Sequence, residues 1–218
     1  MNRPIPGETA LVRGAAGQIE TLVETPAAPH GIALLCHPHP LYGGANTNKV
    51  VHTLARAFRE RGYIALRPNF RGVGSSEGAH DHGEGETGDM LAVLDWARSR
   101  WGALPLALGG FSFGAYVQVR VANRLADKGE PPRRLVLVGM AAGAVADSVR
   151  QYETPAAPRN VPTLVIHGEA DDTVPLANVL DWARPQDLPV IVLPGADHFF
   201  HGRLHTIRDL VASGIRTD

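Results

Sequence analysis

Leu104-Pro-Leu-Ala-Leu-Gly-Gly-Phe-Ser-Phe-Gly-Ala-Tyr-Val-Gln-Val-Arg-Val-Ala-Asn-Arg-Leu125 is the stretch whose reading decides the fold. Residues 104–108 form an apolar run of strand length, and an uninterrupted helical stretch begins at Ala115. Between them stand Gly110-Phe111-Ser112-Phe113-Gly114. A Gly-x-Ser-x-Gly turn between a buried strand and a helix presents its serine at the top of a sheet. Such a turn forces the serine into a strained backbone conformation, and the residues two positions either side must lack side chains so that backbones pass closely. Ser112 is therefore expected over the amino terminus of the following helix. Unpaired N–H groups and the helix dipole favour negative charge there, which suits a nucleophile.

Outward from this turn, strand and helix patterns alternate. On its amino-terminal side, residues 32–36 (Ile-Ala-Leu-Leu-Cys) are continuously apolar, as in a strand buried on both faces. Asn46 is placed to cap a helix through Arg61 that Gly62 closes. Residues 63–66 read as a strand and 86–100 as a helix. Two short strands, 9–13 and 19–24, open the chain around a Gly14-Ala-Ala-Gly17 hairpin. On the carboxyl-terminal side, strands are expected at 134–138, 163–166 and 190–193, with a helix from about residue 200. This order implies a single α/β domain over 1–218, a mostly parallel sheet of about eight strands with helices on both faces. Only about 21 residues separate Gly139 from Val161, with space for one short helix near 145–152. That leaves no room for a cap domain.

Composition bounds the function. A 218-residue chain with 44% hydrophobic and 20% charged residues and a net charge of −1 is ordinary for a soluble globular protein. No basic excess draws a nucleic-acid backbone or an anionic membrane. Met1 to Glu8 contain no apolar segment of the kind a secretory signal needs, and no apolar run reaches membrane-span length. The lone Cys36 has no internal disulfide partner, so a reducing, cytoplasmic setting is expected.

A serine hydroxyl needs a general base, and the base needs an orienting acid. After the strand at 163–166 comes His167-Gly-Glu-Ala-Asp-Asp-Thr-Val-Pro175; after the strand at 190–193 comes Pro194-Gly-Ala-Asp-His-Phe-Phe-His201. With Gly110–Gly114, these blocks resemble the three catalytic blocks of the α/β-hydrolase superfamily. Cys36-His-Pro-His-Pro-Leu-Tyr-Gly-Gly44 and Asn69-Phe-Arg-Gly-Val-Gly-Ser75 draw the resemblance toward its small, lidless bacterial esterase-like members. It implies an α/β-hydrolase fold with Ser112 as nucleophile, Asp171 as acid and His198 as base. Asp171 is favoured over Glu169 and Asp172 because it stands fourth from His167, as in the family block; Asp172 then reads as a solvated or helix-capping residue. His198 lies in the loop that must reach Ser112, whereas His201 and His205 fall on the expected helix.

The resemblance also implies an oxyanion hole, with one donor the N–H of Phe113. The second comes from the turn after Cys36. Pro38 and Pro40 have no N–H, which leaves His39 and Leu41 as equal candidates. The expected substrate is a small-molecule carboxylic ester, with short chains preferred because no lid covers the cleft. Thioesters, peracid formation and C–C cleavage remain open on the same residues, as does a non-catalytic ligand-binding role.

Tyr42 and Phe199 are expected to contact substrate. Phe111, Phe113 and Phe200 also flank the turn. His80-Asp-His-Gly-Glu-Gly-Glu86 invites a metal reading, but reads better as a solvated loop entering an acidic helix start. Arg71-Gly-Val-Gly74 is too short a glycine pattern for a phosphate loop. His37 and His167, at strand ends, read as hydrogen-bonded structural histidines. No metal and no cofactor are expected.

Overall fold

The computed structural model describes residues 7–145 and 150–215. Eight strands form one sheet: β1 (Glu8–Gly14), β2 (Gly17–Glu24), β3 (Gly31–Cys36), β4 (Tyr63–Pro68), β5 (Leu106–Phe111), β6 (Arg134–Val138), and, further along the chain, β9 (Thr163–Gly168) and β10 (Val190–Leu193). A separate two-stranded ribbon, β7 (Gly143–Ala144) with β8 (Gln151–Tyr152), lies between β6 and β9 in the chain. The sheet order is β1-β2-β4-β3-β5-β6-β9-β10, parallel from β4 to β10, with β1 and β2 antiparallel at one edge.

Helices α2 (Glu84–Trp101), α3 (Phe113–Asp127) and α4 (Leu176–Ala183) pack on one face; α1 (Lys49–Arg59) and α5 (Leu204–Ser213) pack on the other. Every residue of β3 and of β5 is buried. This is what unbroken apolar strands covered on both faces require. The chain runs from β3 to β4 on one side and then crosses to β5 on the other, so the loops after β3 and β5 diverge. A crevice opens at such a switch point, at the carboxyl ends of the strands.

Four expectations change. The N-cap of α1 is Asn48, whose Oδ1 accepts the Val50 and Val51 N–H groups. Asn46 is buried instead, with its N–H on Asn69 Oδ1 and its carbonyl accepting from Arg67. The last helix starts at Leu204, because Phe200 takes φ 54° and breaks the turn before it. The helix expected at 145–152 meets the β7–β8 ribbon at its end, and 146–149 lie outside the described residues. The nucleophile strand starts and ends later than its apolar run, carrying through both glycines to Phe111.

Candidate active site

Ser112 links β5 to α3 with φ 55° and ψ −119°, a conformation that side-chain-bearing residues avoid and that stores on the order of 1–3 kcal/mol. The turn is held from both sides: the Ser112 N–H donates to the Val138 carbonyl at 2.9 Å, and the Ser112 carbonyl accepts from Ala115 and Tyr116. The glycines allow this. A Cβ on Gly110 would run into the Gly114 backbone, and one on Gly114 would run into the carbonyl oxygens of Cys36 and His37 at the end of β3. The close approach brings the turn after β3 alongside the amino terminus of α3.

Two further loops converge on Ser112. Asp171 follows β9, and its Oδ1 accepts the N–H groups of Thr173 (3.0 Å) and Val174 (2.7 Å). Its Oδ2 lies 2.7 Å from His198 Nδ1, and His198 Nε2 lies 3.1 Å from Ser112 Oγ. All three residues are buried, and the Phe111 ring packs 4.9 Å from the His198 ring. A carboxylate only accepts here, so the proton shared with His198 sits on Nδ1 and Nε2 faces the serine as an acceptor.

The rivals are committed elsewhere. Glu169 accepts the Gly195 N–H, and Asp172 is exposed, with Pro175 rather than Asp172 at the cap of α4. His201 is not helical; it is exposed and tied to the Asp197 carboxylate, which that contact holds below the usual carboxylate range. His205 is exposed on α5.

Beside Ser112 the turn after β3 folds into a short 3₁₀ segment, Pro40–Tyr42. The Leu41 N–H folds back onto His39 Nδ1 at 3.3 Å, and the Tyr42 and Gly44 N–H groups donate to the His39 carbonyl. The N–H groups of His39 and of Phe113 make no hydrogen bond among the described residues. Burial, reinforced by His80, Arg150 and His82, pulls the His39 imidazole down to about 4, so that ring is neutral at pH 7. His37, fully buried, accepts the Phe70 N–H on Nε2 (2.9 Å) with Nδ1 2.7 Å from the Pro38 carbonyl; burial lowers it to about 4 as well. His167 lies under Asp171, with Nε2 2.9 Å from the Val174 carbonyl, and burial lowers its basicity too.

A cleft of about 210 Å³ opens over Ser112 and His198, walled by Tyr42, Phe113, Tyr152 and Phe199. Phe111 and Phe200 are fully buried and do not line this cleft. Sequence reasoning missed Tyr116, Arg150 and Tyr152 near the cleft, since nothing in their spacing marks them. The acidic helix start expected after residue 80 is present, with Glu84 and Glu86 in the first turn of α2, but it is not solvated throughout: Glu86 is wholly buried and receives the Gly83 and Asp81 N–H groups. The Gly83-x-x-Glu86 spacing, a backbone-capping pattern at a helix start, was the available signal. Arg71 is held by Asp89 in a two-pronged ion pair. Among the described residues no group of three His, Cys, Asp or Glu side chains is placed to hold a metal ion, and no helix is long and apolar enough to cross a membrane.

Comparison with known proteins identifies the family. Residues 17–141 match the X-Pro dipeptidyl-peptidase (S15) family, and residues 105–206 match the serine hydrolase (FSH1) family. The chain is similar to XC6422 from Xanthomonas campestris, an α/β serine hydrolase without a lid. Identity is 36% with a TM-score of 0.84, over 98% of this chain and 95% of that one. It is 34% identical to RP471 of Rickettsia prowazekii, over 86% of this chain and 79% of the relative. A 105-residue stretch, 46% of this chain, is 36% identical to the lysophosphatidylserine lipase ABHD12 of Danio rerio but spans only 27% of that protein. With the eight-stranded sheet and the serine turn at its carboxyl edge, these similarities give the conclusion: the chain belongs to the α/β-hydrolase superfamily, among its serine hydrolases without a lid.

Proposed function

We propose that this chain hydrolyses carboxylic esters of short acyl chain through an acyl-enzyme on Ser112. The observation that carries the reading is the hydrogen-bonded line from Asp171 through His198 to Ser112, at 2.7 and 3.1 Å. In the acylation step His198 Nε2 takes the Ser112 proton as Oγ attacks the ester carbonyl. The carbonyl oxygen becomes an oxyanion, received by the N–H groups of Phe113 and His39. Of the two candidates in the turn after β3, His39 is favoured because the Leu41 N–H is already engaged. His198 then gives its proton to the departing alkoxide. Water repeats the sequence, losing its proton to His198 while the acid leaves Ser112. Asp171 holds the imidazole in the required tautomer throughout and stabilises the imidazolium that forms.

The open cleft over Ser112 supports the choice of short acyl chains, because no lid is present to bury a long one. The test is labelling with a fluorophosphonate, which should add one adduct to the wild type and none to Ser112→Ala, together with nitrophenyl esters from C2 to C12. Turnover should peak at C2–C4. A rate that climbs steadily to C12 overturns the chain-length reading, and an intact protein that never labels overturns the serine mechanism. The same panel carries an acyl-thioester, an X-Pro nitroanilide and lysophosphatidylserine, on which turnover should stay below that on butyrate.

A further inference from the structure

Across the ring of Phe113 from the Ser112 cleft lies a second hollow of about 330 Å³, within the range of small-molecule sites. The two share His39, Tyr42, Phe113, Arg150 and Tyr152 as a common wall. The far side of the second hollow is built from His80, His82 and Tyr116. No acidic side chain lines it, and its cationic lining residue, Arg150, lies over the Tyr42 ring at 4.1 Å.

His80 is the polar group that is held most firmly there. Its side chain is only 7% exposed, and its Nδ1 lies 3.0 Å from Glu86 Oε1. Its ring is packed against those of His39 (4.6 Å), His82 (4.9 Å) and Phe113 (5.3 Å). Glu86 already accepts the backbone N–H groups of Asp81 and Gly83, so both of its oxygens act as acceptors. In the neutral imidazole the proton between Glu86 and His80 therefore lies on Nδ1, and Nε2 is the acceptor nitrogen. No bond among the described residues uses that nitrogen.

This wiring repeats the one at Ser112: a buried carboxylate fixes Nδ1, and Nε2 waits as an acceptor. At His198 the chain itself supplies the hydroxyl. At His80 it supplies none. A carboxylate or phosphate brought to this nitrogen would meet a lone pair, whereas an O–H would find its acceptor. Leu41, Arg150 and Gln151 complete the lining, and its aromatic part is continuous: the Tyr116 and Tyr152 rings lie 5.3 Å apart, and both pack on Phe113. Such faces stack flat rings.

We propose that this hollow is a substrate subsite for a ring bearing a hydroxyl group, with its face on the aromatic walls and its O–H donated to His80 Nε2. The inference rests on the ester-hydrolase reading and narrows its substrates to esters whose acyl or alcohol part carries such a ring. A phenol and a sugar share this chemistry.

The experiment compares kcat/KM on matched esters with the wild-type protein. One arm uses methyl 3-(4-hydroxyphenyl)propionate with its 4-methoxyphenyl and phenyl counterparts. The other uses a 6-O-butyryl hexopyranoside with tetrahydropyran-2-ylmethyl butyrate, which has the ring but not the hydroxyls. In at least one arm the hydroxylated ester should be preferred about tenfold, the size of one well-made hydrogen bond. The arm that responds identifies the ring. The methoxy compound, an acceptor only, should fall with the unsubstituted one. In His80→Phe the preference should shrink toward unity. Should that variant fold poorly, the wild-type comparison decides by itself. Equal rates across both arms overturn the inference, as does a methoxy ester that matches the hydroxy ester. In either case Ser112 labelling and butyrate turnover show that the ester-hydrolase reading stands, and loss of both removes the two readings together.

Discussion

Replacing Gly114 by alanine should damage stability and turnover together, for one geometric reason. The added Cβ would stand 2.5 Å from the His37 carbonyl oxygen and closer still to that of Cys36. Real Cβ atoms essentially never come nearer than 3.0 Å, so the end of β3 and the start of α3 must part by at least 0.5 Å. Both contacts are main-chain atoms of fully buried residues, the last of β3 and the one after it, so no flexible side chain can yield. Overpacking of this kind costs about 1–3 kcal/mol. For a domain of this size that lowers Tm by roughly 2–4 °C per kcal/mol. The same displacement separates the His39 and Phe113 N–H groups, one on each of the parted segments. Since losing one oxyanion donor costs about 10²–10³ in kcat, Gly114→Ala should lose about a hundredfold in kcat on butyrate esters, with KM changed far less. The control is Gly88→Ala in α2, where a Cβ meets nothing within 4 Å and the helix should gain up to about 1 kcal/mol. Scanning calorimetry and ester kinetics on both variants check the pair. A Gly114→Ala protein with wild-type Tm and kcat would refute the close-approach reasoning.

Three other outcomes follow from the structure. Asp171→Asn keeps an acceptor for the Thr173 and Val174 N–H groups but turns an amide donor toward His198 Nδ1, so kcat should drop about 10³–10⁴ with a modest change in Tm; a loss under tenfold would remove Asp171 from the mechanism. His37 sits at about 4 when folded against 6.5 for the unperturbed residue, so between these values the unfolded chain holds a proton that the native state refuses. Stability is whole above pH 6.5 and declines as pH falls to 4, by about 3 kcal/mol from this residue; urea titrations across the window and an NMR titration of the His37 ring check it, and a folded-state midpoint near 6.5 would contradict it. Arg71→Ala strips the two-pronged partner from Asp89, whose side chain is 3% exposed, and should cost about 3–5 kcal/mol in urea unfolding; a loss under 1 kcal/mol would show that the pair is not needed.

Much of this protein is local in origin and was therefore readable in one dimension. An unbroken apolar run of five or six residues between turn residues suits a strand buried on both faces, and glycines flanking Ser112 favour a tight strand-to-helix turn. The hairpin at Gly14–Gly17 and the mostly parallel sheet rest on the same short-range logic of period and turn residue, whereas the roles of Asp171 and His198 came from the resemblance to the superfamily's catalytic blocks. What the folded molecule decided depends on atoms far apart in the chain. Leu41 and His39 are equally good candidates on paper, and only the fold shows that the 3₁₀ turn bends the Leu41 N–H onto the His39 ring. Asn46 reads as the cap of α1, but Asn69 and Arg67 claim it and the cap falls to Asn48. Residues 80–86 look solvated because their composition is polar, yet the helix start they form drives Glu86 inward and sets His80 against rings contributed by β3's turn and by α3. A sequence states which groups a chain owns; which donors and acceptors are spent is decided only when distant backbones compete for the same hydrogen bonds.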